Sequence, residues 1–309
     1  MPHIAEDARA AGSRGIRWMV LAMAAFIAND TLVKVASASL PAPQLIGVRG
    51  LFACALIMAV ARASGTVLQP RQMAQGWVAL RAAVDAVATF GYLFSLFHLP
   101  LANATAINMA TPLFITLAVA TRVRVGWRRW TATAIGFAGV LLVIQPRAGG
   151  FNTWAWLCLA ATFAHALRDL MTARIPRALP SLAIVLATAI AVTAVAVGWA
   201  TLEGWKPMMP AQVGGLAAAA LFLATGYFAL VKATREADLS LVAPFRYSGL
   251  LLALLLGWLL WGDVPNALAW CGIALIVAAG AYLLRAPQRA QADARASLQE
   301  TARGPRSRR

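Results

Sequence analysis

The residues of this chain best able to do chemistry are ionic side chains set in apolar surroundings. FIANDTLVKVA at 26–36 places Asp30 and Lys34 four apart, a spacing that puts both on one face of a helix. The same spacing relates Arg81 to Asp85 in ALRAAVDAV, and His165 to Asp169 in AHALRDLM, where Arg168 stands beside the acid. Arg49 in LIGVRGLF and Arg246 in APFRYSGLL have no acid at helical spacing, so an anion, a cluster of carbonyls or a remote aspartate must balance them. The chemistry open to this set is ion pairing, proton exchange at Asp30, Asp85 or His165, and capture of a carboxylate or carbonyl by the arginines. Asn108, Tyr92 and Tyr247 add neutral hydrogen-bonding groups, and Phe90, Phe94, Phe114 and Tyr227 add ring faces on which a planar molecule stacks. The pairs read equally well as locks between helices, and spacing alone leaves both readings open. His98, next to Leu99 and Pro100, reads as a helix-end residue.

The elements that must hold these groups are membrane helices. The chain has 309 residues, of which 61% are hydrophobic and 12% charged, with a mean hydropathy of +0.71; soluble proteins carry roughly a quarter charged residues. The apolar residues come in blocks of about twenty, enough at ~1.5 Å per residue to cross a ~30 Å hydrocarbon layer. The fold class is therefore an all-α polytopic membrane protein. Ten spans are predicted near 16–36, 43–61, 76–98, 101–121, 128–146, 153–173, 180–200, 212–232, 239–261 and 266–285. The first is too long and too polar for a cleaved secretion signal and is read as retained. Cys54, Cys158 and Cys271 each lie within an apolar block, and no CxxC or HxxxH spacing occurs, so neither a disulfide, a metal site nor any other cofactor is predicted.

Orientation follows from the basic residues, because loops rich in Lys and Arg stay in the cytoplasm. With both termini cytoplasmic, twenty of the 27 basic residues fall inside, from Arg9 to Arg309. The opposite loops hold only Arg147 and Lys206, and five (Lys34, Arg49, Arg81, Arg168, Arg246) lie within spans. This loop-by-loop distribution also accounts for the net charge of +16. A nucleic-acid binder gathers its charge on one face, so anionic lipid is the expected partner, above all for the basic tail at 287–309, which is predicted to be disordered. Oligomeric state is not encoded in any feature of the sequence.

The two halves echo each other. AAFIAND at 24–30 and ATFAHAL at 161–167 open the first helix of each half, and IGFAGVLLVIQPR at 135–147 and CGIALIVAAGAYLLRAP at 271–287 close the last. Five spans per half is an odd number, so the second half enters the membrane from the other side. Such inverted repeats place a substrate site near mid-membrane, at helices interrupted by Pro or Gly. Pro112 in the fourth span and Pro244 in the ninth hold matching places and mark the expected breaks. The organisation read from this is an N-terminal cytoplasmic segment (1–15), a first repeat of helices 1–5 (16–147), a second of helices 6–10 (148–286) and the tail.

These features together resemble the drug/metabolite transporter superfamily, in its ten-helix EamA-type branch, over about residues 17 to 285. The resemblance is carried by NDTLVK in helix 1, LIGVRG in helix 2, RRW entering helix 5, and APFRYSGLLLALLLGWLLWGD before a Gly-rich helix 10. The stretch ALRDLMTARIPRALPS is similar to a subgroup of bacterial riboflavin and S-adenosylmethionine carriers. Members often carry a glutamate before helices 5 and 10; here RVRVGWRRW has none and the second position is Asp263. The resemblance implies a multi-pass protein of the bacterial cytoplasmic (inner) membrane that moves a small organic metabolite by alternating access, with riboflavin uptake the first expectation. The alternative is import or export of an amino-acid-derived metabolite: a carboxylate-rich metallophore, an amino acid or S-adenosylmethionine. Five basic residues against three acids within the spans suit an anionic or carbonyl-rich substrate. Under this reading Arg49, Asn108, Arg246, Tyr247 and Tyr92 bind substrate, while Asp30, Lys34, Asp85, His165, Arg168 and Asp169 couple or gate. A GxxxxGK[ST] loop is absent, so gradients must supply the energy. No enzymatic activity is expected; a transferase built on His165 and Asp169 lacks the polar loops to hold a soluble co-substrate.

Overall fold

A computed structural model describes residues 2–120, 127–145, 153–172, 174–176, 179–236 and 243–282. The basic tail and the connection holding Arg122 and Arg124 lie outside the described residues. The elements are α1 (Pro2–Ser37), α2 (Ala42–Ala63), a single turn α3 (Pro70–Met73), α4 (Gly76–His98), α5 (Leu101–Asn108), α6 (Thr111–Ala120), α7 (Trp127–Ile144), α8 (Thr153–Thr172), α9 (Ser181–Glu203) and α10 (Pro210–Glu236). A 3₁₀ turn (Ala243–Tyr247) leads into α11 (Ser248–Trp261), and α12 (Ala267–Tyr282) ends the described chain. Five helical stretches, Ser13–Ser37, Ala42–Ala63, Gly76–His98, Ser181–Glu203 and Pro210–Leu230, are long and apolar enough to cross a membrane. The helix of α1 begins at Pro2, earlier than the apolar block, because EDARAAGSR consists largely of good helix formers.

The fourth apolar block is broken. α5 ends at Asn108, Met109 and Ala110 form a turn, and Pro112 is the second residue of α6, where a helix has no internal use for an N–H. The discontinuity thus falls just before the proline. In the ninth block Pro244 is likewise second in the 3₁₀ turn that precedes α11.

Helix pairing is symmetric between the halves. α1 packs along α10 as α8 packs along α4; α2 meets α10 as α9 meets α4; α11 crosses α1 as α5 crosses α8; and α2 with α9, and α5 with α11, pair across the middle. This is the pattern of two repeats. With no hydrophobic drive between helices in lipid, association depends on close van der Waals approach at small residues. On α2, a Cβ at Gly50 would collide with the Thr193 hydroxyl of α9. Between α7 and α12 the approach is reciprocal: a Cβ on Gly139 would lie 2.7 Å from the Gly272 carbonyl oxygen, and one on Gly272 2.5 Å from that of Gly139.

Candidate functional site

The helices form two walls, α1–α10–α2 and α4–α8–α9, joined along α2 and α9. The wall of α1 carries Asp30. Its Oδ1 accepts from Asn29 Nδ2 at 2.9 Å, and its Oδ2 accepts from Tyr92 Oη of α4 at 2.8 Å, bridging the walls. Asn29, 2% exposed, turns its Oδ1 to Arg49 Nη1 of α2 at 3.2 Å. Arg49 is itself 7% exposed, and its Nε has no partner. Of the counter-groups open to Arg49 the structure supplies a remote aspartate, Asp30, reached through an amide. Beyond Tyr92 the string continues to His165 of α8, with ring centroids 6.0 Å apart, and His165 Nδ1 lies 2.9 Å from Asn108 Oδ1 at the break after α5.

The expected pair of Asp30 with Lys34 does not form. Lys34 Nζ donates to the Leu96 and Leu99 carbonyls at 2.8 and 2.5 Å and stands 5.4 Å from the Trp261 ring centroid of α11. The cause is local: the helical donor for the Leu96 carbonyl would be residue 100, a proline without an N–H. α4 therefore ends with free carbonyls, where its dipole favours a cation.

A second cluster lies nearer the face at which α1 begins. Asp85 of α4 takes Arg81 at 3.4 Å, the predicted contact, and Arg168 of α8 at 2.8 Å, a contact between residues 83 apart that spacing does not reveal. Arg168 also holds Asp169 at 2.9 Å. Arg81 does not reach out to the interface as its position suggests; it turns inward to Thr172 of α8 and Thr188 of α9, at 2.9 and 2.5 Å. His165 and Asp169 share a face but not a bond, since each has a nearer partner.

Tyr227 faces this second cluster. It continues the stripe Leu216, Ala220, Leu223 along α10, of which Leu216 and Ala220 are buried, yet Tyr227 is 41% exposed. It lies within electrostatic reach of Arg49 on its own wall and of Arg81, Asp85, Arg168 and Asp169 on the other. Tyr227 thus stands partly exposed on one wall, within reach of the charges on the other. Farther along, the walls are tied by Tyr92–Asp30 and by Lys34 on the end of α4. Tyr227 was legible in the sequence only as one aromatic among several. The missed signal is the repeated Gly-Tyr dipeptide, Gly91-Tyr92 in α4 and Gly226-Tyr227 in its symmetry mate α10. Thr172 and Thr188 carried no signal, and Asn29 stood out only as part of the NDTLVK segment.

Arg246 and Tyr247 are brought to neither cluster. Arg246 is exposed on the 3₁₀ turn, and the Tyr247 hydroxyl end lies against Gly280 of α12, where any side chain would collide. His98 ends α4 and stacks on Trp154 at 3.6 Å. A separate groove of about 830 Å³ runs along α4, α8 and α9. Small residues and the stacked rings of Phe90, Phe94 and Trp199 line it, and none of the ionic residues does. Among the described residues no group of His, Cys, Asp and Glu is placed to hold a metal.

Comparison with known proteins gives this arrangement its context. The sequence matches the EamA-like transporter family twice, over residues 13–145 and 152–285. Similar proteins include the riboflavin transporter of Vibrio cholerae (29% identical, covering 87% of this chain and 92% of that one) and the pseudopaline exporter CntI of Pseudomonas aeruginosa (27%, 88% and 96%). The S-adenosylmethionine uptake transporter of Rickettsia bellii is 23% identical, covering 92% and 98%. A solved crystal structure superposes with a TM-score of 0.62 at 18% identity, covering 90% of this chain and 97% of that one, and shares the fold. The chain belongs to the EamA-like transporter family: it is a multi-pass protein of the bacterial inner membrane, a secondary carrier of a small polar metabolite and not an enzyme.

Proposed function

We propose that the chain spans the membrane ten times, as repeats 16–147 and 148–286 of opposite orientation with both termini cytoplasmic, and that it takes up riboflavin by alternating access. The observation that carries the substrate reading is Arg49: a buried guanidinium fixed by Asn29 through one nitrogen, with Nε left unpartnered, on the wall that also presents the Tyr227 ring. A flat ring system edged with carbonyl oxygens satisfies both features, the carbonyls accepting from Arg49 and the ring lying on aromatic faces. Tyr92 and Asn108 supply further hydrogen bonds at the closed end. Lys34, Asp85, Arg168 and Asp169 act as gates, holding the walls together in one state and parting in the other. Arg246, exposed where α11 begins, serves the approach to the site and Tyr247 the seating of α11 on α12.

Uptake of labelled riboflavin by proteoliposomes tests the reading. Uptake lost in Arg49→Gln, with folding intact, supports it; no uptake by the wild-type carrier ends it. One observation favours a second reading. The excess of basic over acidic residues in the spans fits a carboxylate-rich, amino-acid-derived metabolite, and the Pseudomonas relative is described as a pseudopaline exporter. Under that reading the same vesicles exchange a carboxylate-rich metallophore and ignore riboflavin.

A further inference from the structure

The three acids of the spans are held in different ways. Asp85 is 5% exposed and touches two guanidinium groups, so a proton added to it would take the acid partner from the half-buried Arg81 and leave Arg168 with Asp169 alone. Asp169 has an open side chain and its own guanidinium partner, Arg168. Among the described residues Asp30 touches no cation. Its two oxygens accept from an amide and a phenol, both neutral, and it is neither fully buried nor open.

Those two partners suit both protonation states. With Asp30 ionised, Tyr92 Oη donates to Oδ2. With a proton on Oδ2, the phenol rotates and accepts it, since a Tyr oxygen does either. Asn29 Nδ2 donates to Oδ1 throughout. Protonation therefore moves one H⁺ from water to Oδ2 and strands no buried group.

The titratable and charged groups around Asp30 are few. On its own helix Lys34 is turned to the α4 carbonyls. α2 contributes Arg49, which acts on Asp30 as a charge while bonding to Asn29. α4 contributes Tyr92, and α8 contributes Cys158 together with His165 behind Tyr92. Tyr227 of α10 faces Arg49. α11 has no ionisable side chain, Arg246 and Tyr247 of the 3₁₀ turn reach elsewhere, and Asp263 acts on Lys34. Among the described residues Arg49 is thus the one cation whose field is seen to reach Asp30.

We propose that Asp30 is the exchangeable proton site of the carrier and that Arg49 governs its occupancy: an anionic group arriving at the Nε edge of Arg49 offsets that field, the negative end of a carbonyl dipole weakens it, and Asp30 then takes up a proton more readily. Substrate and proton then travel together without meeting. The inference rests on Arg49 being the substrate anchor, but its test needs no substrate.

Infrared difference spectra of the purified full-length carrier in lipid vesicles, recorded between neutral and acidic pH, report the C=O stretch of a newly protonated carboxylic acid. The expected result is a band present in the wild type and in Asp85→Asn and lost in Asp30→Asn. In Arg49→Gln it should appear at a pH higher by about one unit or more, the usual effect of removing a nearby opposite charge. If Asp30→Asn does not fold, Tyr92→Phe substitutes for it and must displace the band, because it removes the phenol from Oδ2. A band that persists in Asp30→Asn, disappears in Asp85→Asn, or keeps its pH midpoint in Arg49→Gln overturns the proposal. None of these outcomes depends on whether riboflavin is carried.

Discussion

Lys34 shows how a single side chain answers a need created elsewhere in the chain. Pro100 cannot supply the N–H that the Leu96 carbonyl would receive in a continuing helix, and Leu99 lies beyond the last residue of α4. In water both oxygens would find solvent; on residues as buried as Leu96 and Leu99 they require a protein donor, and Lys34 supplies it to both. Lys34→Met keeps the length and the apolar stem while removing the donors, so two buried acceptors go unmet at about 1–3 kcal/mol. The expected outcome is a lower midpoint of thermal unfolding in detergent, substantially recovered in Lys34→Arg, whose guanidinium again supplies donors to the carbonyls. Equal midpoints for wild type and Lys34→Met would show that the carbonyls find another partner. Asp85 follows the same logic in reverse, one acid answering two cations from different helices.

At the scale of the element, what separates an informative glycine from a neutral one is what its missing side chain would meet. Gly139 and Gly272 face each other's carbonyl oxygens, and backbone cannot move aside as a side chain can. Gly214, in the first turns of α10, meets nothing within 4 Å. Gly214→Ala therefore stabilises, by about 0.5–1 kcal/mol from helix propensity, whereas Gly139→Ala forces α7 from α12 and lowers the thermal midpoint. Equal midpoints for the two variants would count against a tight α7–α12 contact. The contrast also bears on how far the sequence could be read. The helices, the broken fourth block and the doubled architecture follow from apolar block length, proline placement and similar segments, all local properties. The i, i+4 rule correctly paired Arg81 with Asp85 but misassigned Lys34 and missed Asp85 with Arg168. It states who shares a face on one helix and is silent on which helix that face meets. Tyr227 went unrecognised for the same reason: its significance lies in facing α4 and α8 across a gap, which only the packing of α10 on α1 decides.

At the scale of the whole molecule, the side-chain ties between the two walls gather toward one end. Tyr92 with Asp30 and Lys34 with the end of α4 hold them together toward the face where α1 ends, and that face carries further ties between halves, Gln44 with the Lys206 backbone and Gln145 with Asn266. Toward the face where α1 begins, Tyr227 stands exposed opposite Arg168 and Asp169. Under the proposed reading of two inverted repeats the other state exchanges these ends, so that Tyr227 closes on α8 as Tyr92 now closes on α1. Accessibility of introduced cysteines checks this, in a background from which Cys54, Cys158 and Cys271 have been removed, because Cys271 is exposed. Tyr227→Cys should react with a membrane-impermeant maleimide applied at the face where α1 begins, and Tyr92→Cys should not react from either face. Adding Lys34→Met weakens the closed end, and a loss of about 1 kcal/mol there moves the population about fivefold. Labelling at position 227 should then slow, while position 92 becomes reactive from the opposite face. Reactivity of both positions from the same face would mean that access does not alternate, and an unchanged pattern with Lys34→Met would remove Lys34 from the proposed gate while leaving its structural role intact.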